Sequence, residues 1–329
     1  MPNIDVHCHT VCPPLLTELK RVADGISPQA KAAKNYIRRP EFFNDPQFAG
    51  ALDERITLMD EAGIDVEIVS TPLPIGTYFA DLGQRSAAAQ AINDEFTVAS
   101  QRYPGRYRFF ATLPLPDVST SIEEFHRAAG LPGFAGVLAP TNFGLPFNDP
   151  SLEDLYMEMA KARSLLFIHP CRMEFVGRYA KLGMETMLGW PSEDTLAVME
   201  LVLGGVVERH PQLKIIAPHV GGTVLYLVGR IDHGYEEQPP PRRSIPETPS
   251  VYLKRLYYDS VCHSHPTLNL ARSVVGSDHI VLGSDFPYWS RNRMRECLEI
   301  FDGLDWPKEE LALIRGGNME RLLREQGRW

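Results

Sequence analysis

A chain of 329 residues with 44% apolar content has enough nonpolar side chain to bury a large core. Its formal charge of −9, with lysines and arginines scattered along the chain, argues against a nucleic-acid partner, which would require a broad basic surface. The longest apolar runs fall well short of the roughly 20 residues that span a bilayer, and Met1-Pro2-Asn3-Ile4-Asp5 has no basic stretch leading into an apolar one, so a cytoplasmic protein without a membrane partner is expected.

In chain order, the first β-branched run covers residues 4–7 and leads into His7-Cys8-His9. Residues 10–53 break the pattern with Pro13-Pro14, Arg38-Arg39-Pro40 and Phe42-Phe43, and read as an insertion folded over the active face as a lid. A helix over 55–62 stops at Gly63, a strand follows at 66–71, and a helix over 86–102 stops before Pro104. Strands at 107–113, 135–139 and 165–169 come next, then a helix over 194–209 that stops before Pro211 and a strand at 214–219. Residues 236–249 hold three consecutive prolines and Arg242-Arg243, and read either as an interface arm or as a plain solvated loop. Strands at 256–261 and 280–285 complete eight.

Eight strands alternating with helices predict a single (β/α)8 TIM barrel over residues 1–329, distorted by the insertion after the first strand. A doubly wound open sheet would normally place a glycine-rich phosphate loop after its first strand, where this chain has His7-Cys8-His9. The five cysteines form an odd set without paired spacing and predict free thiols.

Five polar residues fall at or just beyond the C-terminal ends of predicted strands: His7, His9, His169, His219 and Asp285. In a barrel those ends share one face, where reacting groups gather. A His-x-His on a strand puts both imidazoles on one side, because side chains alternate with period two. Imidazoles with a carboxylate suit Zn²⁺ and related cations, and three or four protein ligands keep a position for water or substrate. An isolated His-x-His is weak evidence; its coincidence with the other strand ends makes the metal reading. His263-Ser264-His265 follows the seventh strand and reads either as a loop bordering the pocket, in contact with substrate, or as ordinary surface. Cys8, Cys171 and Cys262 also lie near strand ends, but without Cys-x-x-Cys spacing they read as small wall residues.

These residues stand in stretches that together resemble the amidohydrolase superfamily, and within it the branch of 2-amino-3-carboxymuconate-6-semialdehyde decarboxylase and related aromatic-acid decarboxylases. The stretches are Ile4-Asp5-Val6-His7-Cys8-His9, Met59-Asp60, Gly63-Ile64, Phe167-Ile168-His169-Pro170 and Gly204-Gly205-Val206. His219-Val220-Gly221-Gly222, the run from Gly229 to Gly234, Gly283-Ser284-Asp285-Phe286-Pro287 and Gly317-Asn318 continue the match over almost the whole chain. The resemblance implies that His7, His9, His169 and Asp285 hold one divalent cation, Zn²⁺ or Mn²⁺, with His219 and Asp285 as catalytic residues. It implies that Arg230 reaches a neighbouring subunit's site to bind a substrate carboxylate, hence a homodimer, with Arg38 and Arg39 as candidate counterparts of a second carboxylate-binding arginine. No lysine occurs in residues 134–140, so the carboxylated lysine that bridges two metals elsewhere in the superfamily is missing and a single metal is implied. Gly189-Trp190-Pro191 resembles the family's pocket loop, which makes Trp190 a substrate contact. Phe79, Phe286 and Trp289 are further candidates for an apolar pocket wall.

The activity expected first is non-oxidative decarboxylation of an aromatic or unsaturated carboxylic acid. The same ligands also suit a hydrolase of lactones, esters or amides, or a hydratase, in which the metal activates water as the nucleophile. A catalytically dead barrel that keeps its cation for stability is the third reading, and an intact His219 argues against it.

Overall fold

The computed structural model describes the chain except residues 11, 27–30, 32, 34–51, 72–80, 172–178, 180–181, 240–243 and 289–291. Its strands are β1 (Ile4–His9), β2 (Val66–Ser70), β3 (Tyr107–Thr112), β4 (Phe134–Pro140), β5 (Leu165–His169), β6 (Lys214–Ala217), β7 (Tyr257–Asp259) and β8 (Ile280–Val281). Each pairs in parallel with the next in chain order. β8 is short, but the chain beyond it runs on beside β1. Val6 donates to the Leu282 carbonyl at 3.0 Å, Asp285 to that of His7 at 2.7 Å and His9 to that of Phe286 at 2.8 Å. These bonds close the sheet into a (β/α)8 barrel, as the alternation predicts.

Ile4, Val6, Val66, Ile68, Phe110, Leu165, Phe167, Ile216 and Val281 fill the barrel interior, and Met319, Leu322 and Leu323 of the helix Asn318–Glu325 pack beneath them. The opposite faces of the strands, with Phe109, Val137, Ile168 and Ala217, meet the surrounding helices. One irregularity positions the site. Between Asp5 and Cys8, β1 carries one residue more than β2, a bulge that reverses which side chains point inward. Ile4 and Val6 face the interior and Cys8 faces the helices, so beyond the bulge His7 and His9 take the inward positions.

Several expected boundaries shift. β1 runs through His9, so both histidines lie on the strand, and the strand expected at 280–285 ends at Val281. The helix at 86–102 begins at Leu82 behind an Asp81 cap that accepts the Gln84 N–H. The helix expected at 194–209 is two, Trp190–Leu203 and Val206–Arg209. They separate at Gly205, whose φ of +74° is readily available only to glycine. Most of the expected lid, including Arg38 and Arg39, lies outside the described residues. Its described part includes the helix Pro13–Ala23, which buries Leu15 and Leu19 and packs against Leu82–Arg102. Among the described residues no helix is long and apolar enough to cross a membrane.

Candidate metal centre

β1 delivers His7 and His9, the end of β5 delivers His169, and the segment after β8 delivers Asp285. All four are buried, and one ligand atom from each lies within 4.8 Å of the others. The His7 ring centroid stands 4.9 Å from that of His9 and 5.1 Å from that of His169. Asp285 Oδ1 is 3.2 Å from His7 Nε2 and 3.3 Å from His9 Nε2.

The partners behind the rings decide what those nitrogens offer. His7 Nδ1 donates to Asp259 Oδ2 at 2.5 Å. His9 Nδ1 meets Ser70 Oγ at 3.0 Å, and that hydroxyl itself donates to the Cys8 carbonyl, so the ring nitrogen is the donor. In their neutral forms both rings therefore turn an Nε2 lone pair toward a carboxylate oxygen. His7 Nε2, His9 Nε2 and His169 Nδ1 are buried without a hydrogen-bond partner among the described residues. Acceptors converging on acceptors are satisfied only by a proton or a cation, and outer partners that hold imidazole tautomers are a feature of metal sites. The donor set fits a divalent metal ion.

Charge follows the same geometry. Burial works against a charged His7, but Asp285 and Asp259 outweigh it and push its pKa up to about 9. Burial lowers His9 to about 4. It also lowers His169, beside the other histidines. Burial would raise Asp285, yet His7, His219 and His9 hold it well below the usual carboxylate range.

His219 follows β6 with φ at +49°, and Val220 and Asp285 share that left-handed conformation at +55° and +58°. Non-glycine residues adopt it at a cost of about 1–3 kcal/mol each, sustained where the surroundings over-determine it. Asp194, fully buried on the helix Trp190–Leu203, accepts from His219 Nδ1 at 2.9 Å. Across the ring, His219 Nε2 stands 3.8 Å from Asp285 Oδ2. Burial alone would keep His219 neutral; Asp194 and Asp285 together raise its pKa well above the ordinary value. Asp259 couples the two halves of the site. Its Oδ1 accepts the Val220 and Val261 N–H groups while its Oδ2 holds His7.

Further buried groups brace the strand ends. Asp5 accepts the N–H and hydroxyl of Ser284 and the N–H of His7, tying β1 to the residue before Asp285. Arg55 donates to the His9 carbonyl at 2.6 Å and to Glu67 at 3.0 Å. Gly283 leaves room for His7: a Cβ there would sit 3.0 Å from the His7 Cβ. None of Asp5, Asp194, Asp259, Ser70 or Arg55 stands out in the sequence as a site residue. The strand-end argument reaches Asp259, inside the seventh predicted strand, but an aspartate there carries no motif. Asp194 shows no signal beyond being an acid on a largely apolar helix.

Trp190 lines a cavity of about 430 Å³ together with His219, Cys262, His263 and Arg293. Its ring is 6.2 Å from that of Tyr288, which in turn lies 5.6 Å from His9. Arg230 is not brought into this cavity; it is exposed on the helix Val224–Glu236. His263 borders the cavity, whereas His265 begins the helix His265–Val275. Phe286 is fully buried beneath the Arg55 guanidinium, 4.8 Å from its ring centroid, so it is core and not the pocket wall expected of it. Phe79 and Trp289 lie outside the described residues. Of the three cysteines read as wall, Cys262 lines the cavity and donates to the Ser264 carbonyl, its thiol pushed up to about 11 by burial. Cys8 instead faces the helices and donates to the Ile68 carbonyl, and Cys171 is buried against Thr141 and Asn142.

With this geometry in place, comparison with known proteins is informative. A family model described as Amidohydrolase matches residues 4–324, and the chain belongs to that family. It is 29% identical over 238 residues to a 2-amino-3-carboxymuconate-6-semialdehyde decarboxylase of Dictyostelium discoideum, an alignment covering 72% of this chain and 66% of that protein. It is 25% identical over 338 residues to a 2-keto-4-carboxy-3-hexenedioate hydratase of Sphingobium, covering 98% of this chain and 96% of the relative. The fold matches the crystal structure of 5-carboxyvanillate decarboxylase from Novosphingobium aromaticivorans, complexed with manganese and 4-hydroxy-3-methoxy-5-nitrobenzoic acid. The TM-score is 0.87 at 20% identity, over 98% of this chain and 96% of that one.

Proposed function

We propose that this amidohydrolase is a non-oxidative decarboxylase of an aromatic or unsaturated carboxylic acid, using one divalent cation held by His7, His9, His169 and Asp285. The observation that carries the reading is the arrangement around Asp285: one oxygen faces the Nε2 atoms of His7 and His9, the other faces His219. The decarboxylases among its relatives support the choice of reaction.

The cation, when bound, would hold the substrate carboxylate and a neighbouring oxygen and draw electron density from the bond that breaks. The chain's own groups handle the proton. Asp194 keeps the His219 Nδ1 protonated, which leaves Nε2 to hold or release a proton toward Asp285 Oδ2. Asp285 hands that proton to the carbon that loses CO₂, and His219 replenishes it. The carbon–carbon bond breaks, CO₂ leaves and the proton takes its place. Trp190 supplies an apolar wall against which a flat substrate lies.

Incubating the metal-loaded protein with a panel of hydroxylated aromatic acids and unsaturated dicarboxylic acids should release CO₂ from at least one. The His219→Ala variant should lose that turnover, and unchanged turnover would remove His219 from the mechanism. The second reading is a hydratase, favoured by the Sphingobium relative that aligns along nearly the whole chain. Water addition to a double bond without CO₂ release would select it, and ring opening of a lactone or cleavage of an amide would select a hydrolase.

Three imidazoles with one carboxylate make zinc our first choice of metal, and manganese the alternative by analogy with the carboxyvanillate decarboxylase. Elemental analysis of protein purified without added metal decides between them. We further propose a homodimer in which the exposed face of Val224–Glu236, with Arg230 and Tyr226, meets the partner and Arg230 contacts substrate there. Light scattering of wild type and Arg230→Ala tests this: dissociation or a raised KM is expected, and a monomeric wild type would overturn it. A cytoplasmic location fits five cysteines that are all free thiols.

A further inference from the structure

The cavity that opens onto His219 carries a second polar group that the chemistry above does not use. Arg293 begins the helix Arg293–Glu299 and reaches the cavity with a side chain only 11% exposed. Its Nη1 and Nη2 lie 3.0 Å from His263 Nδ1 and Nε2 respectively. A neutral imidazole has one ring lone pair to accept with, so at most one of those contacts is a hydrogen bond. The other named partner is Glu296, 3.2 Å from Nη1 and itself 40% exposed. The Nε is buried with no partner among the described residues. At most two of the five guanidinium N–H groups are thus met by these contacts, although the group is largely withdrawn from water, an arrangement that is costly until an acceptor arrives.

We propose that Arg293 and His263 form an anion subsite that takes a second carboxylate of the substrate, remote from the reacting one, so that the substrate is a dicarboxylic acid. This rests on the reading of the metal centre as the place where the first carboxylate reacts. A planar carboxylate matches the guanidinium fork and satisfies two of its donors at once. The cavity volume of about 430 Å³ suits a small acid spanning from His219 to Arg293. His263 is held in place at a strained φ of +55°. Both its ring nitrogens face the guanidinium, so it braces Arg293 as the group that meets the anion. Burial and the neighbouring Arg293 lower its pKa, so at neutral pH it does not repel that arginine.

The test is calorimetric binding of benzene-1,3-dicarboxylate and of benzoate to the zinc-loaded protein. The dicarboxylate should bind wild type about tenfold more tightly or better, the gain expected of one charge-assisted pair. Arg293→Gln should bring the two ligands to within about twofold while leaving benzoate unchanged, and Arg293→Lys should restore part of the difference. Equal binding of both acids by wild type, or no measurable binding of the dicarboxylate, overturns the subsite. So does an equal loss of both ligands in Arg293→Gln with a lowered melting temperature, which would make the arginine structural. The result separates from the reaction assay. Arg293-dependent dicarboxylate binding without CO₂ release from any acid keeps the subsite and removes the decarboxylase. CO₂ release from a dicarboxylic acid at a kcat/KM untouched by Arg293→Gln does the reverse.

Discussion

Replacing Asp259 by Asn tests whether the metal centre depends on the tautomer of His7. The carboxylate accepts from His7 Nδ1 through one oxygen and from the Val220 and Val261 N–H groups, at 3.3 and 3.1 Å, through the other. An asparagine has only one acceptor oxygen, and two backbone donors claim it. Its amide NH₂ is then left facing His7 Nδ1, which must give up its proton and accept. The proton moves to Nε2, the atom that faces Asp285 Oδ1 at 3.2 Å, and the ligand lone pair is lost. Outer partners of metal-bound imidazoles are worth about 10–100-fold in metal affinity, or about 1.4–2.7 kcal/mol, and a forced tautomer switch belongs at the upper end. Zinc affinity measured by competition with a chromophoric chelator should fall by that factor in Asp259→Asn. Ser70→Ala should cost only a few-fold, because His9 then loses an acceptor without meeting a donor. An Asp259→Asn variant within about threefold of wild type, or one less affected than Ser70→Ala, would refute the tautomer argument.

Asp194→Asn should lower kcat by about 10²-fold on whichever acid is turned over, with KM nearly unchanged, because it disturbs the His219 that handles the proton and not the cation; a KM effect alone would move Asp194 out of that role. Chelation should abolish turnover and lower the melting temperature, with zinc or manganese restoring both, and a fully active metal-free preparation would remove the centre from the mechanism. Cys262, with its thiol pushed up to about 11 by burial, should react with iodoacetamide at pH 7.5 on the order of 10²-fold more slowly than a free cysteine, accelerating only as pH rises toward that value. Rapid modification at neutral pH, read by mass spectrometry, would contradict it.

The barrel was legible because each strand announces itself by composition and the closed sheet turns eight separate strand ends into one rim. His169, His219 and Asp285 could therefore be grouped from far apart in sequence. The groups behind them could not. Asp194 meets His219 across 25 residues of chain, and Arg293, which reaches the cavity, is one of three arginines within Arg291–Arg295 with nothing in the sequence to single it out. The histidine pair itself shows where pattern reading runs out. Ile4, Val6 and Cys8 alternate without a break, which read literally places His7 and His9 on the opposite side, away from the barrel interior. The period-two rule correctly puts the two rings together, but it is the extra residue between Asp5 and Cys8 that turns them inward. That bulge has no composition signal. The same holds for the left-handed backbone of His219, Val220, His263 and Asp285: histidine and aspartate tolerate it better than most residues, but nothing in the sequence marks these positions for it, and the β-branched Val220 is ill suited to it. These positions lie beyond the strand ends that build the site, and mark where local preference yields to it, as expected where function and not stability selects the conformation.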